Sequence, residues 1–275
     1  MLSVEQVREH YDSLAFIYRT FWGDHIHHGL FSEGNESPEE AQVRMVDYCF
    51  ALADKGCAPR GFPCRNVLDV GCGHGGTAIR LAKFHGCEVL GVTLSEKQAS
   101  LAREHARRAG VQDLVNIIVD NADTFQPAAQ AFDLVWNMES SEHFFDKPSY
   151  FVKAAAALRP SGRQLVAAWT GSMSSERVRA VAKAFLCPEL LGPRQYADLL
   201  VAAGLRLLAQ EDLTARVVRT WEICQERARL AAPALPLLPA AVREFIAGID
   251  VILDAYGSGD LTYTVMVAEK APGAP

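Results

Sequence analysis

Val67-Leu68-Asp69-Val70-Gly71-Cys72-Gly73-His74-Gly75-Gly76 decides how this chain folds: a short apolar run enters a glycine cluster, and a helical pattern follows. Glycine belongs where the backbone turns through positive φ, or where a ligand lies against the main chain. The string satisfies two spacings. Gly71, Gly73 and Gly76 fit G-x-G-x-x-G, the dinucleotide fingerprint. Asp69, Gly71, Gly73 and Gly75 fit D-x-G-x-G-x-G. A nicotinamide enzyme wants an acid at the end of the second strand to hold the ribose, yet that strand ends Gly91-Val92-Thr93-Leu94-Ser95. Asp69 is also a poorly motivated charge in a buried strand unless it faces a cation or an amine.

Outward from this loop, strand-like runs recur at 66–70, 88–93, 115–119, 132–137, 164–169, 205–210 and 263–268. Helices fill several of the intervals. One runs to Phe84 with Gly86 as terminator, one from Ser95 to Gly110, and one over about 147–158. Strands spaced by helices of this length imply a parallel sheet covered on both faces. Before it, Val4, Val7, Tyr11, Leu14, Tyr18 and Phe21 keep helical spacing, and Ser37-Pro38-Glu39-Glu40 opens a second helix reaching about Asp54. The helical stretches 173–186 and 214–256 interrupt the alternation. The expected organisation is one α/β domain over 1–275, with a core of about 60–172, 194–212 and 260–271. A helical cap from 1–59, 173–193 and 213–259 would lie over the sheet's carboxyl edge.

The 275 residues carry a net charge of −6 and are 49% hydrophobic. There is no basic bias to favour nucleic acid or an anionic membrane. The seven cysteines are scattered, odd in number and without C-x-x-C spacing, which reads as free thiols in a reducing, cytoplasmic setting. The start Met-Leu-Ser-Val-Glu-Gln lacks signal-peptide character. The most apolar stretch, 230–242, is broken by Pro233, Pro236 and Pro239 and falls short of the roughly 20 residues of a membrane span.

Two longer strings add a family resemblance. Gly91-Val92-Thr93-Leu94-Ser95-x-x-Gln98 resembles the second-strand signature of the γ-tocopherol methyltransferase and cyclopropane-fatty-acid synthase group of class I S-adenosylmethionine (SAM) methyltransferases. The stretch from Trp136 to Lys147, WNMESSEHFFDK, is similar to the γ-tocopherol methyltransferase sequence. So is Trp22-Gly23-Asp24-His25-Ile26-His27-His28-Gly29, which in that family closes over the bound cofactor. The resemblance covers most of 8–170. It implies a Rossmann-like seven-stranded methyltransferase fold whose last strand is antiparallel, with SAM as cofactor, S-adenosylhomocysteine (SAH) as product and no metal. Acceptors in that group range over aromatic carbons, amines, hydroxyls and prenyl chains; the leading expectation here is a small apolar or aromatic natural-product acceptor, methylated at carbon or oxygen, in specialised metabolism.

Asp69 is placed to meet the cofactor's α-amino group, and Gly71 and Gly73 to turn the backbone against it. The resemblance adds Thr93, Leu94 and Gln98 at the ribose, Asn121 and Ala122 at the adenine, Asn137 beside the methionine arm and the Tyr11 hydroxyl at the cofactor carboxylate. Glu142 and His143 follow the fourth strand on the ligand-bearing edge, and one of them is the candidate general base. His28 joins the catalytic set as a lid residue touching substrate or cofactor. Glu139 reads as structural. Phe144, Phe145, Trp169 and Trp221 are candidate walls of an apolar acceptor pocket. Two readings compete with this one: N-methylation of a small amine, and a non-catalytic SAM-binding regulator. The expected assembly is a monomer or homodimer.

Overall fold

The computed structural model describes residues 2–23, 25–32, 34, 36–55 and 64–272; the side chains of 15–22, 231 and 234, and with them the expected Tyr18 and Phe21 face, lie outside the described residues. The strands are β1 (Asn66–Val70), β2 (Glu88–Thr93), β3 (Val115–Val119), β4 (Phe132–Met138), β5 (Leu158–Gly171), β6 (Leu205–Asp212) and β7 (Leu261–Lys270). They form one sheet ordered β3-β2-β1-β4-β5-β7-β6. All pairings are parallel except those of β7, which runs antiparallel to both β5 and β6. This is the seven-stranded methyltransferase topology.

The helices are α1 (Val4–Trp22), α2 (Pro38–Asp54), α3 (Gly76–His85), α4 (Glu96–Ala109), α5 (Lys147–Ala157), α6 (Glu176–Ala184), α7 (Pro193–Ala202), α8 (Thr214–Val217), α9 (Arg219–Ala231) and α10 (Ala240–Gly257). Their ends follow local chemistry. Ser37 and Glu40 close a capping box on α2, Ser95 Oγ accepts from the Gln98 N–H on α4, and Gly86 and Gly110 end α3 and α4 in the left-handed region. The helical stretch 214–256 is divided by a 3₁₀ segment at Ala232–Leu237, because its prolines lack the N–H that an α-helix needs.

Central strands are buried on both faces and alternate between them with period two. Val67, Leu134, Trp136, Leu165, Val265 and Val267 meet one core with Met45 of α2, Leu81 of α3 and Ile252 of α10. Leu68, Val135, Val166 and Met266 meet the other with Phe151 of α5 and Tyr196 of α7. Three features depart from the sequence expectation. α2, assigned to the cap, packs on the sheet face, where Arg163 of β5 bonds the Ala53 carbonyl at its end. β5 extends to both sides of 164–169, because Leu158 pairs with Phe132 of β4 and its ladder with β7 runs from Arg163–Glu269 to Gly171–Leu261. α7 is an unanticipated helix, marked by Gly192-Pro193 and by Gln195, whose Oε1 accepts the Gly192 N–H at 2.8 Å.

The chain proceeds from β1 outward to β3, then returns to β4 on the other side of β1. Ligands in open α/β sheets occupy the crevice beyond the strand carboxyl ends at such a reversal. Gly71 lies there at φ +88°, and an added Cβ would collide with Ser140 Cβ and lie 2.9 Å from its Oγ. Gly71→Ala should therefore cost on the order of 2–3 kcal/mol. Gly110→Ala, strained at φ +73° but facing open space, should cost about 1 kcal/mol. Urea unfolding of both variants checks the order, and equal losses would contradict it.

Candidate active site

A cavity of about 980 Å³ opens at the β1–β4 reversal. Its floor is Val70 to His74, with Thr93 and Leu94 beyond β2, Asp120 to Asp123 beyond β3 and Met138 to Ser140 beyond β4. Val4, Val7 and Tyr11 of α1 and His25 to His27 complete it. Of the residues assigned to the cofactor, Tyr11, Asp69, Gly71, Gly73, Thr93, Leu94, Gln98, Asn121 and Ala122 line this space. Asn137 does not. Its amide lies beneath the loop, where Nδ2 donates to the Val70 carbonyl at 3.3 Å and Oδ1 accepts from Tyr150 Oη at 2.8 Å. It holds β4 to the glycine turn, and the expected contact with the methionine arm is corrected to that role.

Asp69 is buried, and its Oδ2 has no hydrogen-bond partner. Burial pushes its carboxyl up to about 7. A carboxylate held so waits for a cation. Thr93 Oγ1 donates to Gln98 Oε1 at 2.8 Å, so the second-strand threonine and the α4 glutamine act as a preset pair.

A second cavity, of about 520 Å³, adjoins the first, and Tyr11, Ile26, His27, Glu139 and His143 line both. Trp169, Phe185, Trp221 and Phe245 wall its apolar side. Two of these, Trp169 and Trp221, were legible as pocket walls; Phe144 and Phe145 line the first cavity instead. Phe185 and Phe245 carry no local sequence signal.

Glu142 also lines the second cavity. Its Oε1 accepts the Trp169 N–H at 2.8 Å, while the buried Oε2 has no partner. Burial first, and then the neighbouring Glu139 charge, raise its carboxyl to about 8. Lys147 Nζ donates to the carbonyls of Glu142 and Phe144 at 3.3 and 2.8 Å, fixing the turn that carries Glu142. His143 is placed differently. The Leu186 carbonyl lies 3.2 Å from Nδ1, which therefore carries the proton, and Nε2 accepts from Tyr11 Oη at 2.7 Å. Burial lowers His143 to about 4, so it is a neutral ring with both nitrogens engaged.

His28 is buried, at 1% exposure, which corrects the expectation of a lid residue contributing little to the core. Its Nδ1 donates to Glu139 Oε2 at 2.8 Å, and Trp221 Nε1 donates to its Nε2 at 2.7 Å. An indole N–H only donates, so Nε2 is unprotonated and both nitrogens are occupied. His28 also lines the second cavity, so it remains at the site with both ring nitrogens already engaged. His27 Nδ1 donates to the His28 carbonyl at 2.9 Å, and its Nε2 accepts from His25 Nδ1 at 3.0 Å. Among the described residues, no group of three or more His, Cys, Asp or Glu side chains could hold a metal ion.

Residues 2–227 match the family of mycolic acid cyclopropane synthetases. The chain belongs to that family. It is 32% identical to 27-O-demethylrifamycin SV methyltransferase of Amycolatopsis mediterranei, over 88% of this chain and 89% of that one. It is 27% identical to probable tocopherol O-methyltransferase of Oryza sativa subsp. japonica, over 94% of this chain and 76% of that one. The fold superimposes on a mycolic acid cyclopropane synthase complexed with SAH and CTAB, with a TM-score of 0.85 at 18% identity, over 97% and 98% of the two chains. The protein is a SAM-dependent methyltransferase of this family.

The first cavity fits the cofactor. Asp69 Oδ2 is an orphaned acceptor for an ammonium, and the glycine turn leaves the backbone bare beside it. Protonating Asp69 removes that acceptor charge, so SAH affinity should fall about tenfold for each pH unit below about 7. Calorimetric titration across that range checks the slope. Asp69→Asn should bind weakly and without the slope, and a flat wild-type profile would refute the pairing.

Proposed function

We propose that this chain methylates a small apolar or aromatic natural product, at oxygen or carbon, held in the second cavity. What carries the proposal is the junction of the two spaces, with the unpartnered Glu142 Oε2 among aromatic walls on the acceptor side. SAM, when bound, supplies a methyl group already activated on a sulfonium. The protein's work is then alignment and exclusion of water, which supplies roughly 7–11 kcal/mol in well-oriented cases. Tyr11, His27 and Glu139 belong to both linings and would position the two ligands against each other. Asp69, Thr93 and Gln98 would hold the cofactor, with Asn121 and Ala122 beneath its adenine.

For a hydroxyl acceptor a base is needed as the methyl arrives. Glu142 Oε2 takes that proton, because the nitrogens of His143 and His28 are already engaged. A carboxyl raised to about 8 is well matched to a phenolic proton. The setting we assign is cytoplasmic specialised metabolism. In its support, the six cysteines among the described residues are free and buried, and no helix there is long and apolar enough to cross a membrane.

Two measurements bear on the base. With a phenolic acceptor, kcat/KM should rise with pH and level off above about 8, since only the ionised carboxylate removes a proton. Glu142→Gln should lower kcat by about 10²–10⁴-fold while SAH binding is retained. A Gln variant with the wild-type rate would remove Glu142 from the chemistry.

A further inference from the structure

Behind the acceptor cavity lies a contact that its lining alone does not explain. Phe185, the residue that ends α6, is buried at the centre of the aromatic wall. Its ring stands edge-on, 5.2 Å from the rings of both Trp169 and Trp221 and 6.0 Å from that of Phe245. On its far side runs α10. At Gly248, inside that helix, an added Cβ would meet Phe185 Cζ at 3.2 Å and Cε2 at 3.4 Å, with Ala184 Cβ at 3.5 Å.

Glycine weakens a helix interior relative to alanine. Gly248 has no positive φ to require it. What the position needs is the missing Cβ, which lets the ring lie back against α10. Phe185 also lines the second cavity, so a ring pushed off α10 moves that wall.

We propose that Gly248 and Phe185 together set the depth of the acceptor cavity, and with it the length of the hydroxylated aromatic acceptor it takes. This rests on the second cavity being the acceptor site. Flat apolar walls favour an aromatic ring, since ring pairs prefer edge-to-face and offset contacts. The unpartnered Glu142 Oε2 calls for a hydroxyl at the opposite end. Phe185 lines the same cavity as Glu142, so the room for a substituent on an acceptor anchored there depends on where the Phe185 ring lies. Phe185 is the wall itself, and Gly248 is a positioning residue acting through it. Neither lines the first cavity, so the selectivity is separate from cofactor binding.

The experiment uses the full chain saturated with SAH and titrated with phenol and its para-ethyl, para-butyl and para-hexyl derivatives. Binding is read by the fluorescence of Trp169 and Trp221, and turnover is then compared with SAM. Wild-type affinity should fall as the para chain lengthens beyond ethyl. Gly248→Ala should weaken para-ethylphenol about tenfold more than phenol. Phe185→Leu should admit para-butylphenol. SAH affinity should be unchanged in both, which also shows that they fold; if Gly248→Ala fails to bind SAH, Phe185→Leu decides alone. Phenol binding with the same length dependence in all forms overturns the role of Gly248 and Phe185 and leaves the acceptor cavity standing. A wild type that binds SAH but none of the phenols overturns both.

Discussion

One buried carboxylate ties the working parts of this enzyme together. Glu139, at the end of β4, accepts from the backbone N–H and Nδ1 of His28, from Trp169 Nε1 and from Tyr263 Oη, all between 2.7 and 3.0 Å. Burial alone would raise its carboxyl, but the hydrogen bonds it accepts from the ring and backbone N–H of His28 help hold it below the usual range. It sits at φ +49°, a conformation that a non-glycine residue keeps only when its surroundings demand it. His28 passes the constraint on to Trp221 in α9 and lies 3.2 Å from Tyr256 Oη of α10. The His-rich loop, strands β5 and β7 and two cap helices are thereby set by one charge. Removing one neutral donor from such a group costs about 1.5–3 kcal/mol.

The three carboxyls near the junction divide their tasks by how well they are satisfied. Glu139 has four donors and is structural, as its place in the sequence implied, although it also lines both cavities. Asp69 and Glu142 each keep one buried oxygen without a partner, one in each cavity, and burial raises both. A buried, unpaired polar atom is costly to the apo protein. It is therefore best explained by a ligand that completes it: an ammonium at Asp69 and a proton-bearing acceptor atom at Glu142. Two ligands with opposite needs can then meet at Tyr11, His27 and Glu139.

Much of this was legible in the sequence because it rests on local chemistry. The glycine turn after β1 and the caps at Ser37, Ser95, Gly86 and Gly110 all depend on residues a few positions apart, while Thr93 with Gln98 was readable through the family resemblance. What was not legible depends on distant partners. Asn137 has the sequence context of a ligand contact, but Tyr150 and Val70 claim its amide. His28 looks like an exposed loop histidine until Glu139 and Trp221 close around it. The ends of β5 carry polar residues, and only pairing with distant strands makes them strand: Leu158 with Phe132 of β4, and Thr170 and Gly171 with β7. Phe185 and Phe245 reach the second cavity, and Gly248 meets Phe185, through helix packing, which leaves no pattern in any short stretch. α2 shows the same limit: its sequence gives the helix and its caps, but not the face of the sheet on which it lies.

The most direct test of the two-cavity account is a crystal structure of the protein with SAH. The account predicts the amino group of SAH on Asp69 Oδ2 within the glycine-lined cavity, with the space between Trp169, Trp221 and Glu142 left free for a second molecule. SAH lying against Glu142 among the tryptophans, with Asp69 still unpartnered, would contradict it.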